Sequence, residues 1–274
     1  MPGAMSGSPA NEAGRAARAA DTALWMFDFD NTLAPLEPAV DWAASRRELQ
    51  AWLAERGVAP ALFEEFPRGN LVLYEALRAR LEAGGAAARS VLPSSDAAAA
   101  AYDRHSHGAL LRGASAIIER YELAGVGALA PAPGALELLR ALNAAGCAVA
   151  VVTSNSSRTI RAWLTSHRAE ALARVIVGRD SGLALKPSPA TLRRALELCA
   201  VTPAEAVFVG DSEADFRAAA GSGVRFYGIN ARAEGRERLF ALGAAEVFTS
   251  PAALAAHLDL QARETALKPL KAMS

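Results

Sequence analysis

Apolar and polar positions change their spacing several times along the chain, and each change marks an element. Ala23 to Phe29 is an apolar run too short for a helix and rich in large side chains, so it reads as a buried strand. From Pro35 to about Ala130 no strand pattern occurs. Helical spacing appears instead at Trp42 to Arg56, Leu71 to Ala83 and Ser95 to Leu123, the last opening on the capping residues Ser94, Ser95 and Asp96. Gly84, Gly85 and Pro93 separate two of these helices, and Ala130 to Gly134, with two prolines, closes the segment as a linker. Helix and strand then alternate. Helices are predicted over Gly134 to Ala145, Ser157 to His167, Pro189 to Cys199 and Glu213 to Ala220, and strands over Ala148 to Thr153, Arg174 to Val177, Ala206 to Gly210 and Val224 to Ile229.

Strands alternating with helices of this length imply βαβ units and a parallel sheet. The expected fold is therefore an α/β, Rossmann-like three-layer core with an inserted all-helical cap. The first strand belongs to that sheet although about a hundred residues separate it from its continuation. The organisation expected is a tail over residues 1–20, a core built from 21–35 and 131–258, a cap over 36–130 and a second tail over 259–274.

Composition narrows the function. Of 274 residues, 52% are hydrophobic and 21% charged, and the 29 basic residues balance the 29 acidic ones. That balance argues against a nucleic-acid or membrane-surface partner. No run approaches the roughly 18 apolar residues that span a bilayer, and residues 1–20 lack the apolar stretch of a secretory signal. Cys147 and Cys199 are isolated and offer neither a disulfide framework nor a metal spacing, which fits a cytoplasmic protein. Lysine occurs only at 186, 268 and 271. A lone internal lysine, Lys186, therefore stands out.

Candidate chemistry gathers where the strands end. Asp28 and Asp30 close the first strand on the same side, with Thr32 two residues on, and two such carboxylates repel each other unless a cation or a shared proton relieves them. Thr153, Ser154 and Asn155 end the Val149 to Val152 strand, and Asp211 and Asp215 follow Val207 to Gly210. Ligands of an open parallel sheet bind beyond its carboxyl edge, where all three groups converge. The Leu185 to Pro189 loop would return Lys186 to that edge. Carboxylates, a hydroxyl and an ammonium suit a metal and a phosphate. Taken one at a time, Asp30, Thr153 and Asp211 also suit turn or helix caps, and Asp215 suits the first turn of a helix without any metal.

Over residues 23 to about 250 the chain resembles the haloacid-dehalogenase-like superfamily, specifically its phosphatases with a helical cap inserted after the first motif. The motifs carrying the resemblance are Asp28-x-Asp30-x-Thr32, Thr153 after an apolar strand, Lys186 in a Lys-Pro loop and Gly210-Asp211-x-x-x-Asp215. The resemblance implies that Asp28 is the nucleophile and Asp30 the acid-base. It implies Mg²⁺ held by Asp28, the Asp30 carbonyl, Asp211 and Asp215. Thr153, Thr32, Ser154, Asn155 and Lys186 would then attend the phosphoryl group. Asn31 stands where many relatives carry glycine, and asparagine tolerates the unusual backbone angles of a tight turn.

Two features narrow the class within that resemblance. Asp30 argues against the dehalogenases, which lack the second acid, and a cap without lysine argues against the phosphonate-cleaving relatives that form a Schiff base there. The expected activity is hydrolysis of a small phosphorylated metabolite through an aspartyl-phosphate, phosphoglycolate-like or sugar phosphates being the first candidates by resemblance. No partner chain is required for catalysis. A phosphomutase or phosphotransferase of the same fold and a non-catalytic phosphometabolite-binding protein are the alternatives. Arg68, Arg104 and Arg112 are candidate readers of a substrate carboxylate, Arg158 of a leaving group. Trp42, Phe66 and Tyr74 suit packing better than stacking, and His105 and His107, two apart on a helix, face different directions.

Overall fold

The computed structural model describes residues 22–92 and 104–258, the side chains of 104–106 excepted. Six parallel strands form one sheet: β1 (Leu24–Phe27), β2 (Ala148–Val152), β3 (Val175–Val177), β4 (Ala206–Gly210), β5 (Arg225–Ile229) and β6 (Val247–Phe248), in the order β3-β2-β1-β4-β5-β6. The chain crosses from β3 to β4 on the other side of β1, so β1 lies at the switch point. Phe27 is in register with Val151 on one side and Val209 on the other, which aligns the carboxyl ends of the three central strands.

Every residue of β1 is buried because the sheet is covered on both faces. Trp25 and Phe27 enter one apolar cluster with Val149, Val151, Val207 and Val209. Leu24 and Met26 enter the other, with Ala150, Val152, Ala206 and Phe208. This period-2 division explains why the central strands read as continuous apolar runs rather than alternating ones.

Between β1 and β2 lies the helical insertion: α1 (Trp42–Glu55), α2 (Pro60–Glu65), α3 (Asn70–Ala83), α4 (Gly85–Arg89) and α5 (Arg104–Val126). The Asp41 side chain caps α1 by accepting from the Ala44 amide at 2.8 Å. Leu49, Leu53, Leu73, Leu77, Leu110, Ala114, Ile117 and Ile118 form a separate apolar core for the insertion. Helix α5 serves both units, since Val126 enters the sheet-side cluster and Tyr121 packs against both.

The remaining helices, α6 (Ala135–Ala144), α7 (Ser157–Ser166), α8 (Ala190–Cys199), α9 (Glu213–Ser222), α10 (Ala233–Ala241) and α11 (Pro251–His257), complete the layers. Four of them match the predicted spans to within two residues at each end. Not anticipated were α2, α4, α10, α11 and the two-residue β6, all too short or too polar for periodicity to register. The start of the helix expected from Ser95, with its cap signal, lies outside the described residues, as do both tails. Cys147 and Cys199 are buried and not joined in a disulfide with each other.

Candidate active site

The carboxyl ends of β1, β2 and β4 meet a loop that follows β3. Asp28 continues β1, its amide donating to the Val209 carbonyl at 2.8 Å, so its carboxylate is fixed beside β4. Lys186 Nζ donates to Asp28 Oδ1 and to Asp215 Oδ1, both at 2.5 Å, with all three side chains at most 9% exposed. The ammonium also sits 5.4 Å from the centre of the Phe208 ring.

Asp215 is aimed by the start of α9. Ser212 is the N-cap, donating its amide (3.0 Å) and hydroxyl (2.6 Å) to Asp215 Oδ2 in a capping box. Capping and site placement are thus one arrangement, with the second carboxylate oxygen left for Lys186. Gly210 makes it possible: a Cβ there would lie 2.6 Å from Asp215 Cβ.

Asp28, Asp211 and Asp215 each offer an oxygen, all within 4.8 Å of one another. One ammonium cannot neutralise three carboxylates. Burial, and then the Asp28 and Asp215 charges, push Asp211 up to about 8, and burial raises Asp28 to about 7 against the pull of Lys186. Burial would lower Lys186, yet the Asp215 and Asp28 carboxylates outweigh it and raise its affinity for a proton. A cluster of hard oxygen donors with excess negative charge fits a divalent cation.

Asp30 is placed differently from its neighbour. Its Oδ1 accepts from the Leu36 and Glu37 amides at 2.8 and 3.0 Å, across a tight turn whose Asn31 has φ of +56°. Burial raises its affinity for a proton. It lies outside the carboxylate cluster of Asp28, Asp211 and Asp215, and lines a cavity of about 610 Å³ between sheet edge and insertion, with Glu37, Trp42, Arg46, Arg68 and Asn70. The two acids of the first motif therefore face separate partners.

The turn after β2 holds a second group. The Thr153 hydroxyl donates to Asn155 Oδ1 (3.0 Å) and accepts from the Asn155 amide (3.1 Å). The Asn155 side-chain amide is committed to Glu122, so of the three consecutive polar residues Ser154 alone keeps its amide and hydroxyl without a partner among the described residues. Thr32 is fully buried and its hydroxyl finds no partner among the described residues.

Of the side chains weighed as substrate readers, Arg68 is exposed and reaches the cavity, whereas Arg158 pairs with Glu119 on the surface. Tyr74 is buried in the insertion's own core. The side chains of Arg104 and His105 lie outside the described residues.

Two buried residues escaped the sequence reading. Glu122 and Arg179 form an ion pair at 2.8 Å with both side chains at 0% exposure. A signal existed: Ala114, Ile118, Glu122 and Val126 recur every fourth residue, which puts an acid on the buried stripe of α5.

Comparison with known proteins agrees with this geometry. Residues 24–223 match the family model for haloacid dehalogenase-like hydrolases. The chain is 32% identical to a phosphoglycolate phosphatase of Pseudomonas putida over 206 residues, covering 75% of this chain and 68% of that one. It is 36% identical over 122 residues to a phosphoglycolate phosphatase of Rhodospirillum rubrum, covering 44% of this chain and half of the relative. Among solved structures, CbbY from Rhodobacter sphaeroides in complex with phosphate is similar with a TM-score of 0.56 and 26% identity, over 87% of this chain and 99% of that one. A hydrolase from Pseudomonas syringae shares the fold at a TM-score of 0.54 and 21% identity, over 86% and 97% of the two chains. A six-stranded parallel sheet with a helical insertion after its first strand, matched by the family model over most of its length, identifies the chain as an enzyme of the haloacid dehalogenase-like hydrolase family.

Proposed function

We propose that the protein is a Mg²⁺-dependent phosphomonoesterase that acts on a small, anionic phosphate ester through an aspartyl-phosphate. The observation that carries this reading is the pairing of Lys186 with Asp28 beside Asp211 and Asp215 at the switch point of the sheet.

Asp28 attacks phosphorus with one carboxylate oxygen, and the bond from phosphorus to the ester oxygen breaks. Asp30, whose burial favours the protonated form, hands its proton to the departing alkoxide. It then takes a proton from water as that water attacks the aspartyl-phosphate, releasing inorganic phosphate and restoring Asp28. Lys186 holds the nucleophile toward the phosphoryl group and balances its charge. The Ser154 amide, and the Thr153 hydroxyl once its single proton turns away from Asn155 Oδ1, supply donors to phosphoryl oxygens near the start of α7, where helix geometry favours anions. Asp28, Asp211 and Asp215 would hold the Mg²⁺, with the Asp30 carbonyl as the fourth protein donor implied by the resemblance. When bound, the ion offsets the repulsion between the phosphoryl oxygens and the carboxylates.

The leaving group has room in the cavity beside Asp30. The cap, residues 36–130, supplies most of its lining. Arg46 donates to the Phe66 and Gly69 carbonyls and so braces the loop that carries Arg68. Arg68 is then free to bind a carboxylate, which supports a phosphoglycolate-like substrate, in line with the curated names of the Pseudomonas putida and Rhodospirillum rubrum relatives. The test is release of inorganic phosphate from 2-phosphoglycolate and from neutral sugar phosphates, with Mg²⁺ and without a bisphosphate activator. Preference for the carboxylate-bearing ester that disappears in Arg68→Ala is expected. Release that depends on a bisphosphate activator would transfer the reading to a mutase.

A further inference from the structure

Glu122 and Arg179 form the one ion pair among the described residues whose side chains are both at 0% exposure. Removing two charges from water is costly, and a well-packed apolar pair is often as stable or more so. Stability alone therefore accounts poorly for the pair, and its contacts point to what it does.

Arg179 and Glu122 grip the turn after β2 from two sides. Arg179 donates from Nη1 to the Ser154 carbonyl at 3.0 Å, and its own amide donates to the Asn155 carbonyl at 2.9 Å. Glu122 Oε1 accepts from Asn155 Nδ2 at 3.0 Å, while Oε2 accepts from the Ser156 amide and the Thr159 hydroxyl, both at 3.1 Å. Arg179 is itself held on α5 by Ser115, through Nε to the hydroxyl at 3.0 Å and Nη2 to the carbonyl at 3.3 Å. Gly178 permits the close approach, because a Cβ there would fall 2.5 Å from the Ser157 nitrogen and 2.7 Å from the Asn155 carbonyl oxygen.

These bonds have a direction. Beside a guanidinium Glu122 is ionised and can only accept, so the NH₂ of Asn155 must face it. The Asn155 carbonyl oxygen is thereby turned to Thr153, whose hydroxyl donates to it and accepts from the Asn155 amide. A carboxylate on a helix of the insertion thus sets a hydroxyl at the sheet edge through one intervening amide. The Ser154 carbonyl, held by Arg179, fixes the peptide unit whose other end is the Asn155 N–H, the donor to the Thr153 hydroxyl oxygen.

We propose that Glu122 and Arg179 are positioning residues for phosphate recognition: they hold the Thr153 to Ser156 turn so that the Ser154 amide and the Thr153 hydroxyl, whose single proton turns from Asn155 Oδ1 to a phosphoryl oxygen on binding, are presented together. The inference rests on the phosphatase reading, and touches no reacting atom itself.

The test pairs Glu122→Leu with Arg179→Met, which removes both charges together and leaves neither buried alone. Melting temperature, KM and kcat for an aryl phosphate with Mg²⁺, and the affinity for inorganic phosphate by calorimetry are measured in the wild type and in a Thr153→Ala background. The expected result is a folded protein with phosphate affinity about tenfold weaker and KM raised in step, equivalent to about 1.4 kcal/mol. In the Thr153→Ala background the same pair should change either constant clearly less than in the wild type, the remainder acting through the Ser154 amide, since groups acting through one another are not additive. An unchanged affinity in the folded double variant, or an equal loss in both backgrounds, overturns the inference. If the double variant does not fold, Glu122→Asp retracts the carboxylate by one methylene with the charge kept, and an unaltered phosphate affinity in it overturns the inference equally. A wild type that binds no phosphate sinks the phosphatase reading and this inference together. Binding by the wild type with unaffected variants sinks this inference alone.

Discussion

Two buried charge clusters lie within one sheet edge of each other and solve opposite problems. Around Glu122 every charge is matched: one guanidinium, one carboxylate, and hydrogen-bond donors from Asn155, Ser156 and Thr159 for the remaining lone pairs. Around Asp28 the sum is wrong: three carboxylates share one ammonium, and Asp211 has no side-chain partner among the described residues. The first cluster is complete as it stands, whereas the second keeps an excess of negative charge that suits a divalent cation. Their proton affinities record the difference. Burial would raise Glu122, but Arg179 and the surrounding amides bring it below its ordinary value; at Asp28 and Asp211 burial wins. A polar core satisfied by the protein holds geometry, and one left unsatisfied binds ligands.

That contrast can be broken at several points. Asp28→Asn should lower hydrolysis of an aryl phosphate with Mg²⁺ by at least about 10⁴-fold while leaving the melting temperature at or above that of the wild type, because it removes a nucleophile and a repulsion together. Equal turnover by the variant would refute the nucleophile assignment. Arg179→Met, which strands the Glu122 carboxylate in the core, should cost about 3–5 kcal/mol in urea unfolding, and adding Glu122→Leu should return most of it. A single variant as stable as the double would show that the pair is not buried in solution. Lys186→Ala should reduce turnover by about 10²–10³-fold; a variant with full activity would remove the clamp role. Gly210→Ala drives a methyl into Asp215 and should cost about 1–3 kcal/mol in urea unfolding together with Mg²⁺ affinity. If calorimetry shows wild-type Mg²⁺ binding in that variant, Asp215 is not held by this contact.

The smallest effect compares the clusters by pH. An acid whose folded pKa is raised favours folding at low pH, and that contribution is lost as pH rises from the ordinary value of 3.8 through about 7 for Asp28 and about 8 for Asp211. Metal-free protein should therefore lose stability across that window, and the melting-temperature gain from Mg²⁺ should be larger at pH 8 than at pH 6. Glu122 behaves in the opposite sense: its folded value is lowered, so its contribution is present above the ordinary 4.5 and disappears as the pH falls below that. A Mg²⁺ gain that shrinks from pH 6 to pH 8 would contradict the excess charge at Asp211.

The strands were readable because both sheet faces are covered, so β1, β2 and β4 present unbroken apolar runs ending in polar residues, and the predicted Ala206 to Gly210 strand matches to the residue. β6 was not, since two residues carry no period. The separation of Asp28 from Asp30 was also hidden. Strand alternation puts both acids on one side, but the chain leaves the strand after Phe27, and the turn at Asn31 delivers Asp30 to the Leu36 and Glu37 amides instead. The Ser212 capping box shows a further limit. Spacing alone weighs a cap against a site, yet Asp215 spends one oxygen on each.

Local order along the chain determined the element types, the parallel sheet with its helical insertion, and the acids, hydroxyl and lysine that converge on one edge, because periodicity and chain polarity are encoded residue by residue. Only the tertiary structure decided how charge is shared there. Lys186 joins Asp28 to Asp215 across 158 and 29 positions, and Glu122 meets Arg179 across 57. Which carboxylate is neutralised and which is left for a ligand depends on burial and on neighbours distant in sequence, and no local pattern carries that information.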